Sequence, residues 1–87
     1  FHMLSREELY MFDIIGLSDM IMSIEHAIHY TEGCRFLLLC FGNEGSSDKA
    51  KPIIQGLENY LQQVKEVHRF KINEKRRKEN FLRGVNV

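Results

Sequence analysis

Tyr10-Met11-Phe12-Asp13-Ile14-Ile15-Gly16-Leu17-Ser18-Asp19-Met20-Ile21-Met22-Ser23-Ile24-Glu25-His26-Ala27-Ile28 is the stretch that decides the fold. Along it Tyr10, Ile14, Leu17, Ile21, Ile24 and Ile28 recur in alternating steps of four and three, the spacing of a helix face laid along another helix. Gly16-Leu17-Ser18-Asp19 offers a break with Ser18 as a second cap, but the seam crosses Gly16 in phase. One helix from about 5 to 30 is expected. Ser5-Arg6-Glu7-Glu8 ahead of it reads as a capping box, and Gly33 after Thr31-Glu32 reads as the residue that ends it. Leu9, Phe12, Ile15, Met20, Met22 and Ala27 fall off the seam. A helix apolar on most sides needs more than one neighbour.

Downstream, the apolar run over 35–41 is too short for periodicity to separate helix from strand. No second convincing strand exists to pair with it, so a short middle helix is expected. Gly42-Asn43-Glu44-Gly45-Ser46-Ser47 reads as a loop, after which Ser47 or Asp48 caps a last helix over about 48–82, with Pro52 in its first turn. That helix carries Ile53, Leu57, Tyr60, Val64 and Val67 on one seam. The expected fold is all-α: a single helical domain over 1–87, a long hairpin with a short middle helix. So thin a core is best completed by pairing two copies into a dimeric four-helix-bundle-like assembly. Phe1-His2-Met3 reads as a cloning remnant ahead of a native start at Met3, and His2 is given no role.

Charge is divided along the chain. Residues 1–64 hold nine acids against four bases, and residues 65–87 hold eight bases against three acids, within a net charge of zero. Lys71, Lys75, Arg76, Arg77, Lys78 and Arg83 make a basic arm over 71–83. On a helix Lys75 to Lys78 spread around the circumference, a collar that suits phosphates or an acidic protein surface without reading sequence. A helix-turn-helix reading fails, because its second helix would offer Asp19, Glu25, His26 and His29 to DNA and no base.

Catalytic chemistry finds no signature. Cys34 and Cys40 lie in or beside the most apolar segment, match neither a CxxC redox motif nor a zinc knuckle, and suggest inert thiols in a reducing, cytoplasmic setting. Gly42-x-x-Gly45 lacks the ending of a phosphate loop. No apolar run spans a bilayer. His26 and His29, one turn apart beside Glu25, are weak metal candidates, and no cofactor is expected. Two copies pairing through that face would gather four imidazoles, making assembly sensitive to pH near 6. The expected function is a small non-catalytic interaction or regulatory module. It would dimerise through the apolar seams of Tyr10–Ile28 and Ile53–Val67 and engage a partner with its arm. Accessory nucleic-acid binding through Lys71–Arg83 is the alternative, and a metal-binding bundle the third reading.

Overall fold

The structure is a computed structural model that describes residues 3–85; Phe1 and His2, read as part of a cloning remnant, lie outside the described residues. Three helices and no strand make up those residues: α1 (Arg6–Tyr10), α2 (Ile14–Cys40) and α3 (Glu44–Val85). α2 and α3 form an antiparallel hairpin, and α1 lies along α3 beside the start of α2. The fold is all-α, as the spacing implies.

Helix α1 begins as its capping box requires. The Glu8 N–H donates to Ser5 Oγ at 3.2 Å, and the Ser5 N–H donates back to Glu8 Oε1 at 3.1 Å. The expected single helix over 5–30 is then interrupted at 11–13. Asp13 leaves the helical region at φ −78°, ψ 173°, and its Oδ1 accepts the Gly16 N–H at 2.6 Å, so a new helix starts there. Gly16 is the partner of the cap rather than the break, and a Cβ on it would lie 2.9 Å from that oxygen.

The far end differs too. Gly33 sits inside α2, with nothing within 4 Å of where a Cβ would be, and the apolar run over 35–41 is the last part of that helix rather than a separate one. A mid-helix glycine costs only about 1 kcal/mol relative to alanine, which the leucines after it tolerate. The stop comes at Gly42, whose φ of +75° is left-handed. There the Gly42 N–H donates to the Leu39 carbonyl at 3.0 Å and the Asn43 N–H to the Leu38 carbonyl at 2.8 Å, a complete Schellman pair. Asn43 at once starts α3: its Oδ1 accepts from the Ser46 N–H at 3.2 Å and its carbonyl from the Ser47 N–H at 3.1 Å. The expected loop over 42–47 therefore shrinks to a hinge of Phe41, Gly42 and Asn43. Pro52 falls inside α3 rather than in its first turn.

The core is one strip. Leu9, Leu17, Ile24, Ile28, Ile54, Leu57, Tyr60, Leu61, Val64 and Val67 are buried in a single cluster. Of the first expected seam, Leu17, Ile24 and Ile28 are buried, Ile14 and Ile21 half-buried, and Tyr10 exposed on α1. On α3, Ile53 is the departure: it is 58% exposed and Ile54 takes the core position. Both seams thus meet each other inside the chain. Ser47 is fully buried and its hydroxyl has no hydrogen-bond partner among the described residues. A buried, unpaired hydroxyl costs more than the smaller alanine would. Ser47→Ala is expected to raise stability by about 1 kcal/mol, read as a higher midpoint in urea unfolding.

Candidate interaction surfaces

The basic arm continues α3 past the start of α2. Two of its residues serve the fold. Lys71 Nζ donates to the Phe12 carbonyl in the α1–α2 junction and lies 4.9 Å from the centre of the Tyr10 ring. Lys78 Nζ lies 3.5 Å from Glu74 Oε1. Glu74 also accepts the Tyr10 hydroxyl at 2.8 Å, and the Tyr10 ring packs on Phe70 with centroids 5.7 Å apart. The donated hydroxyl, helped by Lys78 and Lys71, holds the Glu74 carboxyl below the usual carboxylate range. The same bond pushes the Tyr10 hydroxyl up. Arg6 adds an ion pair to Glu66, earlier on α3. These groups pin the α1–α2 junction to α3, and Tyr10, Asp13, Lys71, Glu74 and Lys75 line an open cleft beside it.

The other bases take no part in the fold. Lys75, Arg76, Arg77 and Arg83 are exposed and make no ion pair among the described residues. Phe81 and Leu82 are exposed with them, and with Arg77 and Lys78 they line a shallow apolar-floored depression. Of the collar over 75–78, Lys75, Arg76 and Arg77 are thus exposed without an ion pair among the described residues, and Phe81 and Leu82 give the arm an apolar edge.

The second surface is the side of α2 that faces away from α3. Ile15 is 73%, Met22 57% and Phe36 65% exposed along it. His26 and His29 lie on the same side, exposed, and share a shallow depression with Met22 and Glu25. Among the described residues no three metal-ligating side chains gather, so none of them gives the two histidines a third ligand. Cys34 and Cys40 are free. No helix of the described residues is long and apolar enough to cross a membrane. Sequence reasoning treated His26 and His29 only as weak metal candidates and missed that Ile15, Met22 and Phe36 share their side of the helix; the spacing of those three in multiples of seven residues was the signal.

Comparison with family models, with curated proteins and with solved structures returns no match for this chain.

Proposed function

We propose that this chain is a non-catalytic, cytoplasmic helical interaction module that works as a homodimer and engages an acidic protein surface through the basic arm of α3. One observation carries the reading. The chain exposes 6743 Å² of surface, where a compact monomer of its mass exposes about 5,400 Å². The excess is larger than the roughly 800 Å² that each partner contributes to a standard interface. It arises because the molecule is one layer of helices, 67 × 21 × 15 Å, with the end of α3 projecting past the start of α2, whereas stable domains are built from at least two layers. A second copy supplies the missing layer and makes four long helices of two hairpins.

For the arm, the support is that Lys75, Arg76, Arg77 and Arg83 project unpaired. The same observation favours a second reading, contact with nucleic-acid phosphates. The test has two parts. Sedimentation equilibrium at tens of micromolar is expected to give a dimer mass, and a monomer would overturn the first half. Fluorescence anisotropy of labelled duplex and single-stranded DNA and RNA then decides the arm. With an acidic protein as target, no binding is expected at physiological salt, where non-specific phosphate contacts are largely screened. Binding that weakens with a log–log salt slope of about −0.9 per duplex phosphate contact, and vanishes when Lys75, Arg76, Arg77 and Arg83 are all changed to Ala, would establish the phosphate reading instead.

A further inference from the structure

We propose that the outward side of α2 is a self-complementary seam for a second copy of this chain, paired antiparallel, with Met22 of each copy packed over Gly33 of the other. The inference rests on the homodimer reading above and adds its face, direction and register.

The seam has the period of a helix–helix interface. Ile15, Met22, His29 and Phe36 recur every seven residues, and Asp19, His26, Gly33 and Cys40 form a second row of the same period, offset by four. Both rows run the length of α2 and project away from α3, whose own contact uses Leu17, Ile24 and Ile28. A seam as long as the helix calls for a partner helix of equal length. The chain's other long helix already buries its apolar strip inside the hairpin.

Direction and register follow from size. Turned antiparallel about a point between Ala27 and Ile28, the seam meets itself with Met22 opposite Gly33, Ile15 opposite Cys40 and His26 opposite His29. The long Met22 side chain falls where the partner helix has none, as interdigitating packing requires. Nothing of its own chain lies within 4 Å of a Cβ at Gly33, so that notch is open. Phe36 falls opposite Asp19, a mismatch that the two-fold repeats once on each side. Between Ile14 and Cys40 the helix carries three acids, Asp19, Glu25 and Glu32, against one base, Arg35, so a like-charged pairing would repel. In this register Glu25 lies opposite Tyr30 and Glu32 opposite Ser23, and no carboxylate meets another. A two-fold pairing also closes on itself, using each seam once. The four imidazoles sit together at the two-fold.

Gly33→Leu separates this seam from any other interface. In the hairpin alone, leucine is a better helix residue than glycine and has open space, so at concentrations where both chains are monomeric the variant should melt no lower than the parent. Across the seam it strikes Met22, and the dimer dissociation constant from sedimentation equilibrium is expected to rise about tenfold or more. Adding Met22→Ala to Gly33→Leu moves the bulk across the interface and is expected to recover most of that loss. A dimer whose affinity ignores Gly33→Leu overturns the seam and leaves the homodimer reading standing. A parent chain that stays monomeric overturns both. Open-ended association growing with concentration, as when one copy's basic arm docks on the next copy's acidic α2, also overturns the seam.

Discussion

Leu17→Ala is expected to cost about 2–5 kcal/mol of folding stability, the range for removing a buried leucine side chain without collapse of the cavity. A domain of this length has only about 4–13 kcal/mol in total, and a one-layer hairpin belongs at the lower end. The substitution therefore removes a large fraction of what holds the chain. With a transition entropy typical of 60–100 residues, each kcal/mol moves the melting temperature by about 4–8 °C. A drop of roughly 8–40 °C is expected, visible in helical circular dichroism. Leu17 is fully buried, as are Leu9 and Val64 in the same cluster, so the cavity would sit where α1, α2 and α3 meet. Met11→Ala is the control. Met11 lies in the junction beside the same core, but it is largely exposed, and its loss should stay within about 0.5 kcal/mol. Equal effects at the two positions would mean that the core does not lie on the Leu17 side of α2. Because a dimer couples stability to concentration, both melts belong at one fixed protein concentration.

That core was readable from spacing, since Leu17, Ile24, Ile28, Leu57, Val64 and Val67 obey helical periodicity and periodicity reports which side is buried. Periodicity is blind to breaks that keep phase. Tyr10 and Ile14 are four apart whether or not the helix stops between them, so the cap at Asp13 left no mark on the apolar pattern. Ser5 and Glu8 were legible because the chemistry of that cap is written in two residue types at fixed spacing. The outward seam was harder to read for another reason. Two of its positions hold histidine and one holds glycine, which count as polar or neutral in any hydropathy pattern, although imidazole and the glycine notch both suit close packing. The arm was legible as charge but not as allocation. Only three-dimensional proximity shows that Lys71 is engaged by the Phe12 carbonyl and the Tyr10 ring, while Arg76 and Arg77 are free.

Substitutions at Gly33 and Gly42 are expected to change stability with opposite signs. Both glycines follow a helical pattern and both could end it; sequence alone favoured Gly33. What decides is which following residue can return its N–H to the last turn. Asn43 does so for Gly42, donating to the Leu38 carbonyl while its own side chain caps α3, and the left-handed φ of +75° is the geometry that makes both possible. A side chain at Gly42 incurs the left-handed penalty of about 1–2 kcal/mol, with a β-branched residue at the upper end. Gly42→Val should therefore lower stability by that amount, seen as a lower urea midpoint without a change in denaturant slope, because the exposed surface on unfolding is the same. At Gly33 the backbone is ordinary right-handed helix with open space within its own chain, so in the dilute, monomeric chain Gly33→Ala should raise stability by up to about 1 kcal/mol. If Gly42→Val were harmless and Gly33→Ala costly, α2 would end at Gly33 after all and the segment beyond it would be a separate piece, taking Phe36 out of the seam. A loss at Gly42 together with a gain at Gly33 places the turn at Gly42 and keeps α2 continuous along the face on which the second copy would lie.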